Sequence, residues 1–410
     1  MGSLNDIFKS WQTCSKRMCK AGAGMRTHKR SIDRGWLATA ITVGLIMLAA
    51  SGARAEQAGG SDPRWAGYDA HDSHMHLTNY VQEGVNIQDF LKVMGDRVGR
   101  STLFGIPLQQ MWSYENTGEF APGYYLQSDA PLYYYSFTDA FIAMAYLSLT
   151  PDERQRFDPM ITGFNPADMY AADHIRRVLL TFPGVFSGIG EFTIHKEFVS
   201  SKVAGKVASL RNPALDRMLD FAGEAGLVVI LHNDVDMPFP KPDQDPYLVK
   251  QLYEVLRRHP DTTIIWAHGG VGRVVHPVGQ QLAMLERALS NPELGHVYID
   301  ISWTETAKYI TSSPEAIAKT AALINRFPDR FLFGTDEVAP TDQGAYLKIY
   351  DIYQPLFAAL TPEASEKLRK SNYERLFDAA REKVRAWEQK NAAADNEPPA
   401  WTPASGTGQR

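Results

Sequence analysis

Cysteine is nearly absent from this sequence. The 410 residues include two cysteines, Cys14 and Cys19, and both lie close to the amino terminus. The rest of the chain can therefore form no disulfide, and it offers no thiolate ligand to a metal. Any metal bound further along the chain has to be held by histidine and carboxylate side chains.

The amino-terminal region has no apolar run long enough to span a membrane easily. Its apolar run, residues 36–50, is shorter than the ~20 residues that cross a bilayer with ease. Basic residues precede this run and Ala53-Arg54-Ala55 follows it, a pattern typical of a secretory signal cleaved after Ala55. The sequence therefore predicts a leader at 1–55 and an exported protein, periplasmic or secreted. An uncleaved membrane anchor at 36–50 is the alternative.

Two further observations concern this leader. No twin-arginine pair precedes the apolar run, which favours general secretion. The basic segment is unusually long when counted from Met1, and a start at Met25 would give a signal of ordinary proportions.

Positive charge is in deficit after the leader. Residues 1–55 hold nine of the 42 Lys/Arg and two of the 47 Asp/Glu, so the remaining chain has a net charge of about −12. That balance argues against DNA or another polyanion as partner. Otherwise the composition is globular, with 44% hydrophobic and 22% charged residues, and the length suits one (β/α)8 barrel with extensions.

The chain shows no fixed-period repeat, but strand-like and helix-like segments alternate after a polar linker at 56–64. The predicted strands are 68–76, 101–106, 157–164, 185–191, 227–232, 262–268, 296–302 and 330–335. The predicted helices include 86–98, 168–181, 213–225, 247–259, 278–289 and 314–326. Eight strands that alternate with helices predict an α/β fold, a TIM barrel, over residues 65–390. Helical residues at 362–389 are followed by a predicted disordered tail, 391–410.

An aromatic segment interrupts this alternation. Residues 107–135 form a long connection rich in tyrosine, tryptophan and phenylalanine between the second strand and the next elements. Such a connection on the catalytic side of a barrel is typical of a lid or a pocket wall. Plain packing and a subunit interface are the alternatives.

The motif His74-Met75-His76 is the strongest sign of chemistry in the sequence. Residues two apart on a strand point to the same face, so the two imidazoles converge and suit a divalent metal. Further ligand-type residues, His232, His268 and Asp336, each follow an apolar strand-like run. Barrel enzymes place their reacting groups at these carboxyl ends of the strands.

With these residues in this order, the sequence resembles the amidohydrolase superfamily. The segments Trp266-Ala-His-Gly-Gly270, Val297-Tyr-Ile-Asp-Ile-Ser302 and Ser371-Asn-Tyr-Glu-Arg-Leu-Phe377 are similar to the amidohydrolase-related family. The resemblance covers roughly residues 65–385. It implies a metal site on a TIM barrel but does not by itself specify the reaction.

The resemblance implies a role for each ligand-type residue. His74, His76 and Asp336 would bind one metal, usually zinc, and His232 would complete or share the site. His268 would bind a second metal or act on the substrate directly. Glu191 occupies the position where relatives with two metals carry a bridging carboxylate or a carbamylated lysine. TatD-type deoxyribonucleases use such a glutamate, whereas decarboxylases of the aminocarboxymuconate-semialdehyde type manage with one metal.

The chemistry of these side chains fits a metal independently of the resemblance. Imidazole and carboxylate groups are good ligands for zinc and comparable divalent ions. Bound zinc can lower the pKa of a water molecule to roughly 7. Asp336 could then accept the proton of that water and pass it to the leaving group. Whether the site holds one ion or two remains open. Glu191 could also form a salt bridge to a cation inside the barrel instead of binding a metal.

Other polar residues near the strand ends have weaker signals. His71 is three before His74, which predicts the opposite face and a structural role, whereas Asp72 shares the ligand face and could support a ligand. Arg273 could hold a substrate carboxylate or lie in solvent. Trp303 could shape the substrate pocket. His195 and Lys196 reach the same rim and remain unassigned.

These observations predict an exported, metal-dependent hydrolase that attacks an amide, ester or lactone of a small molecule with metal-activated hydroxide. Asp336 and His268 would be its catalytic residues. The alternative is a non-oxidative decarboxylase on the same site, in which His268 and Asp336 handle protons. A third hypothesis is a binding protein that keeps the barrel without turnover. The oligomeric state stays open, with a homo-oligomer among the alternatives.

Overall fold

The part of the chain described here, from a computed structural model, covers residues 62–80, 83–106, 137–197, 209–239, 246–277 and 279–395. The predicted leader, most of the predicted linker, the aromatic segment at 107–135 and residues 396–410 lie outside these described residues. Within the described ranges, no helix combines the length and the apolar character needed to cross a membrane.

Parallel strands form the centre of the fold. They are β1 (Ala70–Asp72), β2 (Met75–His76), β3 (Val98–Leu103), β4 (Phe157–Ile161), β5 (Gly188–His195), β6 (Val228–Asn233), β7 (Ile264–Trp266), β8 (Val297–Asp300), β9 (Phe331–Leu332) and β10 (Glu337–Val338). An eight-stranded sheet follows the chain in the order β1-β3-β4-β5-β6-β7-β8-β9. Each neighbouring pair is parallel. All eight predicted strands are present, and the predicted α/β TIM-barrel class is confirmed.

The first and last strands meet and close the ring. Beyond β1 and β9, the chain continues into β2 and β10, which pair with each other in parallel. Between these pairs, Ser73 N donates a hydrogen bond to Phe333 O at 3.1 Å, and Asp336 N donates to His74 O at 2.7 Å. His74 and Asp336 are therefore joined through the backbone before any metal is considered.

The alternation of side chains along the strands explains why the ligand-type residues point inward. On β6, Val228 and Ile230 belong to the apolar cluster inside the barrel, whereas Val229 and Leu231 pack in the layer between strands and helices. His232 continues the series of Val228 and Ile230 with the period of two that a strand imposes. It therefore emerges inside the barrel at its carboxyl end.

Helices surround the strands and follow them along the chain. They are α1 (Ile87–Met94), α2 (Thr138–Leu147), α3 (Pro151–Arg154), α4 (Ala171–Thr181), α5 (Pro213–Ala225), α6 (Val249–Arg258), α7 (Gln281–Ser290), α8 (Thr304–Ile310), α9 (Pro314–Arg326), α10 (Gln343–Tyr346), α11 (Lys348–Ile352), α12 (Gln354–Ala359), α13 (Pro362–Glu366) and α14 (Asn372–Asp395). Helices α5 and α9 have the predicted bounds because each begins with a capping side chain, Asn212 or Ser313, followed by proline.

Helix α2 is the helix expected after the aromatic segment, but its bounds were not predicted from the sequence. Its apolar residues are spread around the helix instead of forming one stripe, so it lacks the period of a helix that is buried on one side. Only part of it is buried, including Ile142 and Ala143.

The last helix, α14, extends beyond the predicted boundary of the tail at Asn391. It continues to Asp395 because Asn391 bonds within the helix, donating from Nδ2 to Trp387 O at 2.8 Å, and also accepts from Arg176. Further back, one face of α14 packs into the amino-terminal end of the barrel through Tyr373 and Phe377. The helix thus closes the end of the barrel opposite the ligand-type residues.

Candidate metal centre

Six ligand-type residues predicted from the sequence meet at the carboxyl ends of the strands: His74, His76, Glu191, His232, His268 and Asp336. His76, Glu191 and His232 lie within β2, β5 and β6. The other three lie just beyond or between strands. His268 and Asp336 have positive φ angles of 57° and 54°, a backbone conformation that is uncommon for residues other than glycine. All six are buried or nearly so.

Asp336 faces three of the histidines. Its Oδ1 lies 3.3 Å from His74 Nε2 and 3.2 Å from His76 Nε2, and its Oδ2 lies 3.7 Å from His268 Nε2. The ligand atoms of His74, His76, Glu191 and Asp336 all lie within 4.8 Å of one another. These four residues are therefore arranged closely enough to share one ion.

Glu191 divides the centre into two sides. Its Oε2 lies 3.5 Å from His76 Nε2 and 3.9 Å from His74 Nε2. Its Oε1 contacts His232 Nδ1 and lies 3.8 Å from His268 Nε2. The ligand atoms of Glu191, His232 and His268 form a second group within 4.8 Å. This carboxylate thus has the position of a bridge between two groups of possible ligands.

Asp300, to which the sequence assigned no role, orients two of the histidines. Its Oδ2 accepts a hydrogen bond from His74 Nδ1 at 3.0 Å, and its Oδ1 lies 3.4 Å from His268 Nδ1. Ser302 Oγ lies 3.1 Å from the same His268 nitrogen and donates to Asp300 Oδ1 at 2.6 Å. When a carboxylate accepts a hydrogen bond from Nδ1–H, the proton of the ring stays on Nδ1. Nε2 then keeps its lone pair for a metal, as in metal-bound histidines.

Asp234 orients His232 in the way that Asp300 orients His74, but it contacts Nε2 of the ring instead of Nδ1. Its Oδ1 lies 3.1 Å from His232 Nε2, so Nδ1 is the nitrogen directed to the centre. Asp234 itself is buried and accepts a hydrogen bond from Glu197 N. The spacing His232-x-Asp234 was the signal that could have identified this pair, because residues two apart share a strand face.

Asp72 supports the centre in the way that its strand position predicted. Its carboxylate accepts hydrogen bonds from His74 N and Thr335 N, and also from the hydroxyl groups of Thr335 and Tyr346. These contacts hold the segments that carry His74 and Asp336. His71, on the opposite face, bonds instead to Glu374 and Arg100 N, away from the centre, which agrees with the structural role predicted for it.

The charges of the centre are strongly coupled. Burial disfavours protonation of His74, but Asp336 and Asp300 outweigh it and raise its pKa well above the usual value. Asp336 is shifted the other way: burial would raise its pKa, but His74 and His76 lower it to about 2. In the metal-free protein, these shifts favour the protonated form of His74 and the ionised form of Asp336.

Two buried atoms show that a cation fits this donor set. His74 Nε2 and His268 Nε2 are buried, and neither has a hydrogen-bond partner among the described residues, although each lies near carboxylate oxygens. Leaving buried polar atoms unpaired is costly, and such atoms call for an explanation. A divalent ion explains both, because imidazole and carboxylate are its preferred protein ligands and the opposite nitrogen of each ring is already held.

The predicted pocket residues lie beside this centre. The Trp303 ring is 5.1 Å from the His268 ring, and the Arg273 guanidinium lies 5.6 Å from the Trp303 ring centre. Arg273 is partly exposed, with Nε 3.7 Å from Glu305. His195 ends β5 and is half-buried, and burial lowers its pKa. The aromatic segment at 107–135, predicted as a lid or pocket wall, lies outside the described residues.

The family model for amidohydrolases matches residues 71–379. The chain belongs to the amidohydrolase family. The match begins just before His74-Met75-His76 and ends within α14, so it spans the whole barrel. The resemblance that the sequence motifs indicated is thereby confirmed. The protein is an enzyme of the amidohydrolase type, and the family accounts for a divalent metal at this position.

Solved structures with a similar fold include other members of this superfamily. An amidohydrolase from Burkholderia multivorans with bound zinc is 13% identical, with a TM-score of 0.48, 75% of this chain covered and 99% of that chain. A protein from Pseudomonas putida assigned as a 2-pyrone-4,6-dicarboxylic acid hydrolase is 15% identical, with a TM-score of 0.46 and coverages of 76% and 98%. Dihydroorotase from Campylobacter jejuni is 12% identical, with a TM-score of 0.44 and coverages of 76% and 83%. Comparison with curated proteins found no match.

Proposed function

We propose that this amidohydrolase is a metal-dependent hydrolase that adds water to an amide, ester or lactone bond of a small molecule. Zinc is the ion that we assign to it. One observation carries the proposal: Asp300 holds the Nδ1 side of His74 and His268, so that both Nε2 atoms face the carboxylates of Glu191 and Asp336. This is a prearranged set of ligands with a carboxylate beside it that can move protons.

The ion would be held by His74, His76 and Asp336, with Glu191, His232 and His268 around it. When bound, a divalent ion supplies a Lewis acid that polarises a carbonyl and makes a water molecule acidic near neutral pH. Asp336 would take the proton from the attacking water and return it to the leaving group. Its low pKa fits a group that is unprotonated at the start of the reaction.

The remaining residues of the pocket would bind and orient the substrate. Trp303 offers a flat apolar wall next to His268, and Arg273 lies over the same ring with part of its side chain in solvent. A guanidinium at the rim suits a carboxylate or another acidic group on the substrate. The signal pattern predicted at 1–55 supports an exported enzyme, and the negative charge of the remaining chain disfavours nucleic acid as substrate.

The test is a comparison of two product assays on the purified protein loaded with zinc. Panels of lactones, esters and amides would be followed by acid release, and carboxylated aromatic and unsaturated acids by carbon dioxide release. We expect hydrolysis that a chelator removes and zinc restores. Asp336→Asn should lower kcat by about 10²–10⁴-fold, the usual contribution of a general acid or base. Carbon dioxide release without hydrolysis would refute the proposal.

Non-oxidative decarboxylation of a carboxylated small molecule is the second candidate. It is favoured by Arg273, whose partly exposed guanidinium lies 5.6 Å from the Trp303 ring centre, since a substrate carboxylate needs such a partner. The product assays separate the two candidates. Metal content of Glu191→Gln beside the wild type tests a different point, whether Glu191 is itself a ligand of the ion.

A further inference from the structure

Lys196 is a buried cation inside the candidate metal centre. Its side chain is 9% exposed, and its Nζ lies 3.0 Å from Glu191 Oε1. On its other side the ammonium lies 5.2 Å from the centre of the Trp303 ring, in a cation–π contact. A lysine is rarely buried to this extent without a partner of opposite charge, and Glu191 is that partner.

The oxygen that Lys196 contacts belongs to one side of the centre only. Glu191 Oε1 also contacts His232 Nδ1 and lies 3.8 Å from His268 Nε2, the three groups that could hold a second ion. The other oxygen, Oε2, faces His74 and His76, and the hydrogen bond of Lys196 goes to Oε1. The ammonium therefore lies beside the second group of ligands, Glu191, His232 and His268. It does not block the ligand atoms of the first group, which includes His74, His76 and Asp336.

A second divalent ion and Lys196 would compete for the same carboxylate oxygen. Two cations that contact the same oxygen lie close together, and like charges at short distance repel strongly in a buried environment. Moving the ammonium away would also break its contact with Trp303 and leave a buried positive charge without a partner. Conversely, Lys196 already compensates the charge of buried Glu191, so that no second ion is needed for this purpose.

From these contacts we infer that Lys196 takes the place of a second cation, and that the centre binds one divalent ion, at His74, His76 and Asp336. The inference rests on the proposed metal-dependent function, and it adds to it how many ions the enzyme uses and which residue sets that number. Lys196 is then a positioning residue, because it acts through Glu191 and not on the substrate.

The experiment is metal content per chain after saturation with zinc and removal of unbound ions. We expect about one ion in the wild type and about two in Lys196→Met, which keeps a long unbranched side chain and removes its charge. Lys196→Arg keeps the charge and should stay near one. Lys319→Met is the matched control, since Lys319 also pairs with a glutamate but on the exposed surface of α9.

A second measurement needs no variant and so does not depend on folding of Lys196→Met. With manganese in place of zinc, two ions that share a carboxylate give an exchange-coupled electron paramagnetic resonance spectrum, whereas one ion gives the spectrum of an isolated centre. The wild type should give the isolated spectrum. A coupled pair in the wild type would overturn the inference, and so would an unchanged single ion in a folded Lys196→Met variant.

The same data separate this inference from the proposed function. Hydrolysis with two ions in the wild type would leave the function standing and remove the role given to Lys196. A wild-type protein that binds no divalent ion at all would overturn the metal-dependent function, and the inference with it.

Discussion

Two clusters of buried charge lie at opposite ends of this barrel, and they differ in how completely they are paired. At the amino-terminal end, Arg100 bonds to Asp158 through Nε and Nη2 and to Asp378 through Nη1, and Tyr373 donates to Asp158 at 2.7 Å. At the carboxyl end, His74 Nε2 and His268 Nε2 have no hydrogen-bond partner within the part of the chain that the structure describes. Burial of charge is therefore common to both ends, and unpaired ligand atoms mark only one of them.

This difference separates a role in stability from a role in function. The amino-terminal cluster joins β3, β4 and α14, and the carboxylate of Asp158 has its pKa lowered, against burial, by Arg100 and Arg381. Such a cluster stabilises the closure of the barrel and needs nothing further. The candidate metal centre instead directs His74 Nε2 and His268 Nε2 towards the carboxylates of Glu191 and Asp336, an arrangement that suits a cation.

The largest effect that we predict belongs to the amino-terminal cluster. Asp158→Asn should lower the free energy of unfolding by about 3–5 kcal/mol, because it leaves the buried guanidinium of Arg100 without its main partner. Denaturant unfolding measures the loss. Zinc content per folded chain should stay that of the wild type. Loss of zinc from folded Asp158→Asn protein would mean that the two ends are coupled.

The two ends should also differ in their response to pH. The pKa of His74 is raised well above its usual value, and those of His76 and His268 are raised too, so an ion has to displace protons even near neutral pH. Zinc affinity should fall by about tenfold per pH unit for each proton displaced as the pH is lowered from 7 to 5. Competition with a chelator measures this change.

The pKa shifts also make the stability of the folded protein depend on pH. A raised histidine pKa and a lowered aspartate pKa act in opposite directions. In the metal-free protein, the raised pKa of His74 gives stability that is complete below the unfolded value of 6.5 and is lost as the pH rises through the folded pKa. The lowered pKa of Asp158 gives stability that is present above 3.8 and is lost only as the pH falls through its folded value. Metal-free protein should therefore melt at a lower temperature at pH 9 than at pH 6. A melting temperature independent of pH over this range would contradict the assigned charges.

A smaller effect is expected at the residue that orients the ligands. Asp300→Asn should weaken zinc binding by about 10–100-fold, as is typical when a residue that orients metal ligands is lost, because an amide that donates to His74 Nδ1 favours the wrong tautomer. Asp378→Asn is its counterpart at the other end, an exposed acceptor of Arg100, and should leave zinc affinity unchanged. Equal affinities in the two variants would exclude Asp300 from the centre.

The sequence predicted the barrel and the six ligand-type residues because both depend on local patterns. Each strand is a short apolar run, and a side chain that follows such a run is brought to the same end of a parallel barrel as the others. His232 and Asp336, 104 positions apart, could thus be assigned to one centre without any knowledge of their contacts, whereas Glu191 was assigned through the family resemblance.

The supporting residues could not be predicted in this way. Asp300 acts on His74 across 226 positions, and Arg100 reaches Asp158 and Asp378 across 58 and 278. Such partners are selected by side-chain directions within the folded barrel, for which the sequence carries no periodic signal. Lys196 was seen as a residue of the rim, but its contact with one particular oxygen of Glu191 required the structure.

The smallest predicted effect comes from a matched pair of tyrosines. Tyr346 donates its hydroxyl proton to Asp72 beside the metal centre at 2.8 Å, and Tyr373 donates to Asp158 at the other end at 2.7 Å. Both are fully buried, and replacement by phenylalanine should cost each about 1–2 kcal/mol of stability, the usual range for such a bond.

Only Tyr346→Phe should also change zinc affinity, and by less than about tenfold, because Asp72 keeps its bonds to His74 N and Thr335. Zinc titration of both variants, at a temperature where each is fully folded, measures the difference. If Tyr346→Phe and Tyr373→Phe bind zinc equally well, the Asp72 network stabilises the barrel without positioning the ligands. Asp72 would then belong with the residues that stabilise the barrel, and the residues that position the metal would begin at His74.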